Sequence, residues 1–175
     1  MITETAQETI TAPCGADMPP PVAQHEWLRK FVGEWTTEAE IVFDPTVPPM
    51  KSTGRDRVRM LGGFWLISET TGDSPEMPYS SILSVGYDPE KGKYTGTWMD
   101  SMMARFWTYE GTVDNAGNKL TLETRGPCPK EPGKMRTFHE SLELADPDHK
   151  IFTSSILNDD GTWTTCVTVN GTRVK

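Results

Sequence analysis

Gly33-Glu34-Trp35 decides how the rest of this chain is read. It follows a short helical stretch, Ala23 to Val32, and opens a long series of β-type segments. A glycine at that junction lets the backbone turn from helix into strand without a Cβ clash. The tryptophan two residues on then presents a large apolar ring able to plug the floor of a small barrel. In the preceding stretch Trp27, Leu28, Phe31 and Val32 fall on one helical face. That spacing predicts a helix capping an open barrel end, apolar side inward.

Working outward, the apolar residues alternate with period two and are cut by turn signals. The predicted strands are about 34–43, 52–61, 64–71, 79–87, 93–100, 105–113, 119–125, 134–144, 150–157 and 162–170. Gly62-Gly63, Asp88-Pro89-Glu90-Lys91-Gly92, Asp114-Asn115-Ala116-Gly117, Asp146-Pro147-Asp148 and Asn158-Asp159-Asp160-Gly161 supply the turns. Strands joined by short hairpins form a meander. About ten of them must twist, and closure removes both exposed edges. No strand–helix–strand alternation argues for a doubly wound sheet. The expected fold is all-β: an antiparallel up-and-down barrel over 23–175, with a short N-terminal capping helix. Residues 1–22, polar and ending in Met18-Pro19-Pro20-Pro21, are expected to be a flexible arm.

The chain has 175 residues, a net charge of −8 and 35% hydrophobic residues. That length suits one domain with a real core. The acidity argues against binding nucleic acid or an anionic membrane surface, and no apolar run reaches membrane-spanning length. The N-terminus lacks the basic and apolar regions of a secretory signal, so a cytoplasmic location is expected. Cys14, Cys128 and Cys166 are odd in number and widely spaced, fitting neither a disulfide framework nor a zinc site.

Gly33-Glu34-Trp35, Leu61-Gly62-Gly63, Gly86-Tyr87-Asp88-Pro89 and Trp98-Met99-Asp100-Ser101-Met102 occur in this order. Together, over about His25 to Thr168, they resemble the bacterial family called domain of unknown function 1579. The resemblance implies a calycin-like barrel of the lipocalin and fatty-acid-binding kind, with an internal cavity and no established activity. It also implies a basic-ended last strand, whereas Asn170-Gly171-Thr172-Arg173 reads here as a turn and short tail.

Several residues are candidates for a ligand site. On the eighth segment Arg136, Phe138, Glu140, Leu142 and Leu144 share a face, and the leucines mark it as inward. An inward arginine needs a partner: a neighbouring carboxylate, an ion pair at the mouth, or a ligand carboxylate held bidentately. Trp98 and Asp100 share a face of the fifth segment; Asp100 could meet a ligand donor or instead hold the Ser101-Met102 turn. Arg105, Trp107 and Tyr109 share a face of the sixth. Trp35, Trp65, Trp98, Trp107 and Trp163 could wall a pocket or simply pack the core. Glu69, beside Trp65 and Ile67, is the candidate acid or base, along with Asp100. Of the histidines, His139 is predicted outward, His149 lies in a turn and His25 at the helix start, so none is set to hold haem iron or a metal. No cofactor is expected.

These readings converge on a barrel binding a small apolar or amphipathic molecule, without catalysis. One alternative is acid–base chemistry at Glu69 or Asp100. Another is a filled barrel serving interaction or homo-oligomerisation, with Arg55, Arg57 and Arg59 as an outer basic stripe.

Overall fold

The computed structural model describes residues 19–76 and 78–175. Ten antiparallel strands form one closed barrel: β1 (Gly33–Ile41), β2 (Met50–Leu61), β3 (Trp65–Gly72), β4 (Ser80–Asp88), β5 (Lys93–Asp100), β6 (Trp107–Val113), β7 (Lys119–Pro127), β8 (Met135–Asp146), β9 (His149–Leu157) and β10 (Trp163–Arg173). Each strand pairs with its neighbours in sequence, and β1 pairs with β10 to close the ring. Among the described residues no helix is long and apolar enough to cross a membrane.

Helix α1 (Ala23–Leu28) and a 3-10 turn, Arg29–Phe31, precede β1. His25 starts the helix: its Nδ1 accepts from the Val22 N–H at 3.0 Å, so Nε2 carries the proton and donates to the Tyr87 carbonyl at 3.0 Å. This ties the cap to β4 and buries His25 with both ring nitrogens hydrogen-bonded. Tyr94 on β5 donates to the Gln24 carbonyl at 3.0 Å, and Trp27 packs on Phe31 and Tyr94. The expected arm, 1–22, lies outside the described residues except for 19–22, where Pro21 already packs against Gly63. Cys14 also lies outside them.

The floor is built around Trp35, 1% exposed, whose Nε1 donates to the Phe31 carbonyl at 3.0 Å. Gly33 has φ 148°, and a Cβ there would strike Arg173. The reading of Asn170–Arg173 as a turn and tail is corrected. These residues continue β10, with Arg173 opposite Trp35 in register. The Arg173 guanidinium lies 4.1 Å from the Trp35 ring and donates to the carbonyls of Val32, Lys30 and Pro147. Pairing with β1 overrides the local turn signal, because every N–H and C=O of a closing strand has a partner waiting.

The two ends differ. Tight connections, 62–64, 89–92, 114–118 and 147–148, gather at the capped end. Longer ones, 42–49, 101–106 and 128–134, rim the other end, the mouth. The capped half is solid. Leu28, Phe31, Trp35, Val58, Leu66, Val85, Tyr94, Leu120, Leu122 and Leu142 form one buried apolar cluster there.

Candidate functional site

Above that cluster the interior changes character. Alternation carries hydroxyl and charged side chains inward on many strands: Thr37, Ser68, Ser81, Thr124, Glu140 and Ser154 are buried, and Asp56 and Lys150 are buried lower, at the level of Trp35. Their polar atoms are matched mostly to one another, as buried groups must be. Lys150 on β9 pairs with Asp56 on β2, whose other oxygen accepts from Ser68 Oγ at 2.7 Å. Burial lowers the Lys150 ammonium's affinity for its proton and Asp56 opposes that effect. The Lys150 Nζ also lies 4.9 Å from the Trp35 ring centre, so this pair sits at the boundary between floor and polar chamber.

Glu140 has no cation beside it among the described residues. Its carboxyl accepts from Ser154 Oγ at 2.9 Å, and burial pushes its pKa up to about 7, against the pull of that hydrogen bond. The Tyr109 phenol is pushed up mainly by burial, with Glu140 and Tyr79 adding to it. Burial likewise raises the Cys166 thiol, which points at the Ser154 carbonyl from 3.3 Å. Below about pH 7 all three groups therefore hold their protons.

Toward the mouth the lining becomes aromatic. Trp98 and Trp107 face each other across β5 and β6 with ring centres 6.4 Å apart, and Trp107 meets Phe138 edge-on at 5.5 Å. Trp107 has room because β7 carries Gly126 opposite it, where a Cβ would fall 2.0 Å from the indole. Arg105, just before β6, lays its guanidinium 5.1 Å from the Trp107 ring centre. Strand β6 was expected to begin at Arg105; it begins at Trp107, and Arg105 belongs to the rim. Two donors here, Arg105 Nε and Trp107 Nε1, are buried and have no acceptor among the described residues. Each such orphan costs about 1–3 kcal/mol when nothing accepts from it.

The structure brings together Trp98, Arg105, Trp107, Tyr109, Phe138 and Glu140 of the sequence candidates. Trp35 lies apart, in the floor. Arg136 is at the rim, where it donates to Glu131 at 2.6 Å and to Asp159 at 2.5 Å, and these contacts hold its pKa high. Asp100 closes its own turn, accepting from the N–H groups of Met102 at 2.6 Å and Met103 at 3.0 Å. Glu69 shares a face with Trp65, but that face is the outer wall, where Glu69 lies 3.5 Å from Arg59. Trp65 and Trp163 are corrected as pocket walls: both are outside, about 40% exposed, and Trp163 stacks on His139 at 3.7 Å. Arg57 and Arg59 of the outer stripe pair with Glu34 and Glu69. Two broad concavities, of about 500 and 840 Å³, also lie on the outside, the larger over the threonine-rich face of β5, β6 and β7.

Sequence reasoning missed Asp56, Lys150 and Ser154. The signal was present in parity: Asp56 is two residues before Val58, and Lys150 and Ser154 flank Phe152 at spacing two. No group of His, Cys, Asp and Glu able to hold a metal ion occurs among the described residues.

A closed ten-stranded meander with a helix over one end and an interior that turns polar and then aromatic toward the other defines a calycin-like barrel. The chain belongs to the family described as "Protein of unknown function (DUF1579)", which it matches over residues 20–173. Among solved structures it is similar to Rv2717c from M. tuberculosis, with 14% identity and a TM-score of 0.64 over 89% of this chain and 100% of that one. It is also similar to the S-type phycobiliprotein lyase CPES from Guillardia theta, with 15% identity and a TM-score of 0.54 over 86% of this chain and 92% of that one. At such identities the likeness is one of fold. No curated protein matches the sequence.

Proposed function

We propose that the protein binds a small amphipathic molecule, reversibly, in the mouth-side half of its barrel. The observation that carries this reading is the pair of buried, unaccepted donors on Arg105 and Trp107, set beside half-buried aromatic rings. A core serving only stability is expected to satisfy or omit such groups. The capped half supplies rigidity, and the aromatic mouth supplies apolar contact with a few polar groups, the usual make-up of a small-molecule site. Glu69 and Asp100, the acid–base candidates, do not enter the chamber, so the catalytic alternative has no support from them. Cytoplasmic location is part of the same proposal, as is the single-barrel organisation of 23–175.

Native mass spectrometry of freshly purified protein tests it. A non-covalent small-molecule adduct that is lost on denaturation, and whose re-addition raises the melting temperature, is the expected result. A bare mass, with no thermal shift across a panel of small amphipathic compounds, would count against binding.

A further inference from the structure

We infer that the mouth is a carboxylate site, and that its ligand is a short aromatic acid rather than a long-chain one; this rests on the binding role proposed above. Charge bookkeeping inside the barrel singles out one group. Lys150 is matched to Asp56, Arg136 to Glu131 and Asp159, and Arg173 to three carbonyls and Asp148. Arg105 has no carboxylate within ion-pair distance among the described residues, although the chain carries eight more acidic than basic charges. Its Nε and the Trp107 Nε1 are, among the described residues, the two side-chain donors that end up buried and unaccepted. They sit two residues apart where the rim leads into β6, with the guanidinium over the indole. Two unaccepted N–H donors in one side-chain stack, one of them cationic, are the chemistry that takes a carboxylate.

The surroundings set the rest of the ligand. Trp98, Trp107 and Phe138 meet at tilted and edge-on angles, an arrangement that receives a flat ring. One inward position deeper than Phe138 lies Glu140, protonated below about pH 7 and able to donate to a polar far end. Below that the apolar cluster from Leu28 to Leu142 fills the floor. An extended acyl chain would run into that packed floor.

Calorimetric titration at pH 6 with 2-naphthoate, 2-naphthalenemethanol and dodecanoate tests this. The expected result is that naphthoate binds at least about 10-fold tighter than the alcohol and tighter than dodecanoate. Arg105→Gln should then cost naphthoate about 10–100-fold and leave the alcohol within about twofold. Trp107→Phe, which keeps a ring and removes the donor, should cost naphthoate several-fold, and unchanged melting temperatures would show both variants folded. Equal binding of acid and alcohol, insensitive to Arg105→Gln, overturns the carboxylate site while leaving a binding barrel. Dodecanoate binding as tightly as naphthoate overturns the short-ligand limit. If none of the three binds, the binding role itself falls, and this inference with it.

Discussion

At Glu140 the barrel holds a buried carboxyl with no cation beside it among the described residues, and a single hydroxyl, that of Ser154, serves it. The fold therefore favours the protonated form. Unfolded, the group ionises near 4.5; folded, near 7. Between those values the native state holds a proton that the unfolded chain has released, so stability falls as pH rises through the window. The gap corresponds to roughly 3 kcal/mol, fully present below about pH 4.5 and lost by about pH 7. The other acids facing Glu140, Tyr109 and Cys166, are both raised and stay neutral throughout. Glu140→Gln should flatten the urea-denaturation stability profile across that range and make the variant the more stable protein above pH 7. An unchanged slope would mean that Glu140 is ionised and solvated in the native state. Residue direction was legible here because period two is strict: Leu142 fixed Glu140 and Phe138 as inward and His139 as outward. Partners were not. Nothing in the local sequence says that Arg136 meets Asp159, which lies on the next hairpin, rather than a ligand.

Among the elements, β10 departs most from its sequence. Asn170-Gly171 is a turn signal taken alone, yet the strand runs through it to Arg173. The glycine serves packing instead: the Lys150 side-chain stem lies where its Cβ would be, 2.8 Å away. Element types elsewhere followed from turn chemistry and alternation, whereas this end was set by β1, whose open edge β10 completes. Arg173 then holds helix, floor and the β8–β9 turn together. It covers the Trp35 ring and donates to Lys30, Val32 and Pro147. Arg173→Ala should lower unfolding free energy by about 2–4 kcal/mol, since three carbonyls lose a charged donor and the ring loses its cation. Arg173→Lys should recover less than half, because a point charge cannot bridge three acceptors as a planar fork does. Denaturant midpoints measure both. A loss below about 0.5 kcal/mol for the alanine variant would show that solvent replaces those contacts and that Trp35 closes the floor unaided.

For the molecule as a whole, closure was legible as a consequence of a long meander, but the means of closing was not, since β1 and β10 lie at opposite ends of the sequence. The seam between them carries backbone pairing, a Thr36 Oγ1 bond to the Thr172 carbonyl and the Arg173–Trp35 contact, and is clasped further if something inside spans it. Lys150 and Asp56 do: one is on β9, the other on β2, so their contact passes beneath both β10 and β1. The pair is buried, and a buried pair is not stabilising merely because it exists; desolvation offsets most of its attraction. Its effect is to make an open or slipped seam costly, since either partner alone would be a buried, uncompensated charge. Lys150→Met should therefore cost about 3–5 kcal/mol, while Asp56→Leu, Ser68→Ala and Lys150→Met combined should return to within about 2 kcal/mol of the parent. Hydrogen exchange on the combined variant separates energy from specificity. Amides of β1 and β10 should exchange faster relative to those of β6 and β7, because the barrel would keep its core and lose its clasp. If the combined variant is as unstable as Lys150→Met alone, the pair contributes net energy rather than register. If its seam amides stay as protected as the rest, backbone pairing with the Thr36 and Arg173 contacts closes the barrel without the clasp.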